Sequence, residues 1–208
     1  MPPEDRFVCR FAAEPPQEPL PYGRWADTLQ AEFLAACLKV DTEGAELGDP
    51  GSMTWFPDRT WAGRTFVPVT SRTSTGLDLF GYVSFAPEDA DSEPDDFYSW
   101  ADFTDETADR HQEWKLDISE EVVGGWRGEQ GRVAAMTLVW GVPLVRGGFI
   151  STAELADVTV DQCTLVDDRF TLLAPDAYRS DYLDIRLWSL RGEELAGESL
   201  YEDDGDEG

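Results

Sequence analysis

In the run Leu183-Asp184-Ile185-Arg186-Leu187-Trp188-Ser189-Leu190, one set of residues (Leu183, Ile185, Leu187, Ser189) alternates with another (Asp184, Arg186, Trp188, Leu190). Side chains of a strand point to opposite faces in turn, so this pattern specifies a strand with one face buried. Arg191-Gly192 then supplies a turn into a second apolar run over 194–200, and the two segments read as a hairpin. Upstream, the same punctuation recurs. Short runs rich in Val, Thr, Phe, Tyr and Trp, broken by Gly, Pro and Asp, mark further strands over 53–56, 65–70, 77–85, 113–118, 133–140, 152–158, 163–166 and 169–173. Val166-Asp167-Asp168-Arg169 reads as a hairpin turn between two of them. The expected fold is therefore mainly β, a β-sandwich or open barrel of about ten strands.

One segment obeys a different period. From Arg24 to Lys39, Trp25, Leu29, Phe33 and Cys37 recur every four positions with Leu34 and Leu38 beside them, which is the stripe of an amphipathic helix over 24–39. A β-rich domain must cover a sheet face, and this N-terminal helix is the element available to do so. A possible first strand over 7–12 precedes it, followed by the proline-rich connector over 14–21, which cannot continue a strand. A single β-rich domain over 1–200 with a disordered acidic tail over 201–208 is the expected organisation.

Charge narrows the function. The 208 residues carry 43 acids against 16 bases, a net charge of −27, so non-specific adhesion to nucleic acid or anionic membranes is not expected. The acids are unevenly spread: residues 81–121 hold 14 with 2 bases, and 175–208 hold 11 with 3. The composition of Glu88-Asp89-Ala90-Asp91-Ser92-Glu93-Pro94-Asp95-Asp96 is that of a loop, and it leads into Phe97-Tyr98-Ser99-Trp100-Ala101-Asp102-Phe103. Carboxylates beside aromatics combine electrostatic steering with desolvated anchors. The candidate partner-binding residues are Asp95, Asp96, Phe97, Tyr98, Trp100, Asp102 and Phe103, although a core strand would use the same aromatics. The expected function is a non-enzymatic interaction module, an adaptor, assembly component or immunity-type inhibitor, whose partner is a basic protein. A DNA-mimic inhibitor would need carboxylates spaced like phosphates along one face. No cofactor or metal is expected.

Chemistry has few footholds. His111 is the only histidine, which removes two-histidine metal sites and leaves most hydrolase templates incomplete. With the carboxylates around it, it could contribute to one metal site at most. Asp89, Asp91, Glu93 and Asp95 alternate as the first half of a calcium loop does, but Pro94 and Trp100 stand where an EF-hand needs Gly and Glu. No phosphate-binding Gly-rich fingerprint or Gly-x-Ser-x-Gly elbow occurs. Cys9, Cys37 and Cys163 are odd in number and far apart, which fits reduced, buried thiols.

Pro94-Asp95 with Glu113-Trp114-Lys115 resembles the PD-(D/E)xK signature of a nuclease superfamily. That resemblance implies a metal held by the two acids and a water activated by the lysine, with Glu113 and Lys115 on one strand face. Gly124-Gly125-Trp126 resembles the opening of lipocalin-like barrels, which implies a Trp plugging one barrel end and a small-ligand pocket. These supply the alternative expectation, a small-ligand-binding barrel or a metal-dependent enzyme. Residues 1–10 show no apolar secretory core, and the thirteen weakly polar residues 133–145 fall short of the ~20 that a spanning helix needs, so a cytoplasmic protein is expected.

Overall fold

The computed structural model describes residues 24–42, 44–87, 94–127, 133–177 and 181–200. The expected strand over 7–12, the proline-rich connector, Cys9, residues 88–93 of the acidic loop and the 201–208 tail lie outside them. The described residues form one helix and twelve strands, so the chain is mainly β. They gather into two compact units, drawn from residues 14–119 and from 120–208.

The first unit contains α1 (Arg24–Cys37), β1 (Pro50–Trp55), β2 (Arg59–Trp61), β3 (Arg64–Thr73), β4 (Asp78–Pro87) and β5 (Pro94–Thr104). Its strands make one antiparallel sheet in the order β1-β3-β4-β5, with β2 also paired to β3. The helix lies over β4 and β5. Its stripe does what the period requires: Leu29, Phe33 and Cys37 are buried in a core shared with Val67, Val69, Leu79 and Val83. Each such side chain contributes roughly 1.5–3 kcal/mol by leaving water. Burial also pushes the Cys37 thiol up to about 11, so it stays a neutral packing group.

The helix stops two residues short of its expected end. Lys39 N donates to Ala36 O at 2.8 Å, a tightened final turn, and Leu38 lies 89 % exposed. Leu38 thus lies one residue past the helix and outside its buried stripe.

The second unit holds β7 (Val133–Pro143), β8 (Gly148–Leu155), β9 (Val158–Thr164), β10 (Phe170–Asp176), β11 (Leu183–Ser189) and β12 (Glu194–Ser199), with most of β6 (Leu116–Arg127). They form two open sheets, β10-β7-β6 and β12-β11-β8-β9. Strand β10 packs against β8 and β9, which makes this unit a sandwich. Every residue from Ile150 to Leu155 and from Phe170 to Pro175 is buried, as expected of strands covered on both faces.

The hairpin read from the C-terminal alternation is present as β11–β12, with Leu183, Ile185 and Leu187 buried. The Asp167-Asp168 turn is also present. Both residues have positive φ (49° and 58°), and Val166 and Arg169 exchange backbone hydrogen bonds across it. Two sequence expectations change. The segment 152–158 is not one strand: residues 152–155 end β8, Ala156 and Asp157 take positive φ (50° and 60°) and turn the chain, and Val158 opens β9. The last of the early candidates, 113–118, begins only at Leu116. Gly124-Gly125-Trp126 lies inside β6 of an open sheet and plugs no barrel among the described strands. No described helix is long and apolar enough to cross a membrane.

The stripe makes a quantitative expectation. Phe33→Ala empties a fully buried ring site and should lower unfolding free energy by about 3–5 kcal/mol, whereas Leu38→Ala should change it by less than about 0.5 kcal/mol. Urea denaturation followed by tryptophan fluorescence checks both, and equal losses would contradict the placement of the helix.

Candidate partner-binding site

All seven candidate residues fall on one element, β5. Pro94, Asp95 and Asp96, assigned by composition to a loop, are its first three residues. Among the described residues β5 pairs only with β4, so it is the edge of its sheet. The aromatic-acidic run is a strand because its alternation serves two faces. Phe97, Ala101 and Phe103 point to the helix side and pack against the core, and Tyr98 and Trp100 point to the other side.

This alternation corrects the anchor assignment. Phe97 and Phe103 are partly buried against the core, with Phe97 against Phe85 at 5.7 Å, so core packing uses much of both rings, and Phe103 also reaches the groove described below. Tyr98 remains, 52 % exposed, with Trp100 half-buried beside it. Tyr82 of β4 holds both: its ring lies 6.2 Å from Tyr98 and 6.1 Å from Trp100, and Phe80 meets Trp100 edge-on at 5.8 Å. Such pairs stabilise by about 0.5–1.5 kcal/mol beyond their area, so these rings are presented rigidly. Gly81 makes the close strand approach possible, since a Cβ there would sit 2.1 Å from the Trp100 carbonyl oxygen.

The acids are fixed in different ways. Register slips between Ser84 and Ala86, and Asp96 at the slip adopts φ 48°, a bulge geometry that Asp tolerates. Arg64 clamps this corner. It donates to the Asp96 backbone oxygen at 2.9 Å and to Ser84 Oγ at 3.1 Å, and it pairs with the Asp96 carboxylate, whose side chain is 75 % exposed. Asp102 accepts from its neighbour's backbone, Phe103 N, at 2.8 Å. The side chain of Asp95 lies outside the described residues.

Beside this strand runs a groove of about 650 Å³. Its walls are Lys39, Val40 and Asp41 after the end of α1, and five consecutive residues of β5, from Ser99 to Phe103. Sequence reasoning missed it, because it joins segments sixty residues apart. The only local signal was the Lys39-Val40-Asp41 run directly after the helix stripe.

The loop leaving β5 is held by charge. Arg110 pairs with Asp105 at 3.0 Å, and Arg72 pairs with Asp78 and reaches Asp109 at 3.0 Å. His111 stacks on Trp114, ring centroids 4.4 Å apart, with Nδ1 3.1 Å from Glu113 and Nε2 against Glu106. Only the protonated imidazole donates at both nitrogens. The hydrogen bond to Glu113 holds the imidazole above its ordinary value, Glu106 adds to this, and partial desolvation opposes it. Glu113 and Lys115 therefore lie in an ion-paired loop and do not share a strand face, which removes the geometry that the nuclease resemblance implied. Among the described residues no three His, Cys, Asp or Glu side chains converge as metal ligands. No family model, curated protein or solved structure matches this chain.

The loop carries a pH dependence of defined sign. A histidine whose folded value is raised stabilises fully below its unfolded value near 6.5, and that contribution is lost as pH rises through the folded value. An NMR titration of the single imidazole should give a midpoint above about 6.5 that falls in Glu113→Gln. A wild-type midpoint below that value would contradict the two-carboxylate arrangement.

Proposed function

We propose that this chain is a non-enzymatic, acidic protein–protein interaction module, an adaptor, assembly component or immunity-type inhibitor, that docks a basic partner through β5. The observation that carries this reading is the placement of Asp96, Tyr98, Trp100 and Asp102 on a single edge strand, with Tyr98 open to solvent and its ring held by Tyr82. A rigid aromatic loses little side-chain entropy on binding, and the surrounding carboxylates accelerate encounter with a cationic surface. Arginines 64, 72 and 110 in this region are each engaged by an aspartate, so these three offset acids already present, and Lys39 in the groove wall stands beside Asp41 and Asp102. The second unit's Arg186 is likewise enclosed by Glu154, Glu194 and Asp184.

Affinity capture from the native host at low salt, with release at high salt, supplies the partner, and its association rate is the test. The triple variant Asp95→Lys, Asp96→Lys, Asp102→Lys should slow association about tenfold or more at low salt, with the two rates converging at high salt. Because the Asp96 carboxylate is 75 % exposed and Arg64 keeps its bonds to Ser84 Oγ and the Asp96 backbone oxygen, stability should change by no more than about 1 kcal/mol from loss of the ion pair. Unchanged association rates at every ionic strength would overturn the reading.

A further inference from the structure

The groove beside β5 says how such a partner would bind. Side chains of a strand alternate between faces, so a cavity on one face touches every second residue. Here five residues in succession, Ser99, Trp100, Ala101, Asp102 and Phe103, line one groove. A cavity that meets both parities runs along the strand's edge, where the backbone itself is the wall.

The backbone bonds agree. Phe103 N donates to the carboxylate of Asp102, its own neighbour, at 2.8 Å, which marks this N–H as turned away from β4. Register is continuous from Tyr98 to Thr104, so the N–H and C=O groups of Ser99 and Ala101 share that outward direction. Across the groove stand Ala36 on the last turn of α1 and Lys39, Val40 and Asp41 after it; the charged lining is one lysine, Lys39, against two aspartates, Asp41 and Asp102, so the groove is net negative.

We propose that the α1–β5 groove receives an extended, basic segment of the partner protein, which adds to the sheet as a strand paired with β5. This rests on the interaction-module reading and specifies its mode. Charge selects the occupant. A second copy of this chain would bring its own Asp96, Asp102, Asp105 and Glu106 against the same residues, and like charges across a strand pair are destabilising. An arginine- or lysine-bearing strand meets the opposite condition at the same edge, with backbone hydrogen bonds supplying affinity and alternate side chains supplying specificity.

The test uses the full chain and a synthetic peptide of alternating arginine and valine, about nine residues long, enough to span the groove. Its twin carries N-methyl groups on alternate residues, which keep every charge but remove the pairing edge. Backbone NMR should show the unmodified peptide shifting Ser99, Ala101 and Phe103 and protecting their amides, with affinity falling at least about tenfold for the twin. Equal, salt-sensitive binding of both peptides on β5 would overturn strand addition while leaving an electrostatic docking surface. Absence of any salt-sensitive binding would overturn both. Sedimentation showing a dimer that the peptide dissociates would identify a second copy as the occupant and overturn the proposal.

Discussion

Backbone N–H and C=O groups that leave water must find partners, and a strand at the edge of a sheet leaves half of its own without them. The first unit meets this constraint at β5. One face of the strand closes the core under α1, the other carries Tyr98 and Trp100 against Tyr82, and its outer edge opens on a groove. What surrounds that edge is consistent with managing it. Asp102 caps an outward N–H, and the bulge at Asp96, gripped by Arg64, bends the strand at its start. Acidic residues on such an edge discourage pairing between like copies and leave the edge open to a strand of opposite charge.

The same electrostatics organise the neighbouring loop. A segment with 14 acids against 2 bases over 81–121 repels itself unless its charges are bridged. Arg72 reaches from β3 to Asp109, Arg110 turns back to Asp105, and His111 sits between Glu106 and Glu113 over the Trp114 ring. Each exposed pair contributes little by itself. Together they tie the loop to β3 and to itself, and the excess of carboxylates continues past β5 without a sign change.

Much of the fold was legible because it follows period. The four-residue recurrence of Leu29, Phe33 and Cys37 and the two-residue alternation of Leu183, Ile185 and Leu187 each have one buried face, and the structure buries those faces. Asp167-Asp168 declared its turn, since Asp tolerates positive φ. Ala156-Asp157 takes the same conformation with a less diagnostic pair, and the turn between β8 and β9 was read as part of one strand over 152–158. Strand β5 was hidden for another reason. Its two faces are both aromatic, and its first residues share the acidic composition of residues 88–93, so neither alternation nor punctuation marked its start. Glu113 and Lys115 looked like strand neighbours because Trp114, Leu116 and Ile118 alternate, but the ion-paired loop holds residues 105–115 and delays β6 to Leu116. The groove depends on tertiary placement of a helix end beside a strand edge, which no local pattern encodes.

An open, outward-facing edge on β5 is the claim on which the rest stands. Residue-resolved hydrogen exchange of the isolated chain tests it most directly, because alternate amides of one strand then report opposite environments. The account predicts slow exchange for Trp100 and Asp102, bonded to β4, and fast exchange for Ser99 and Ala101. Uniform protection of all four would contradict it, since the edge would then already be paired.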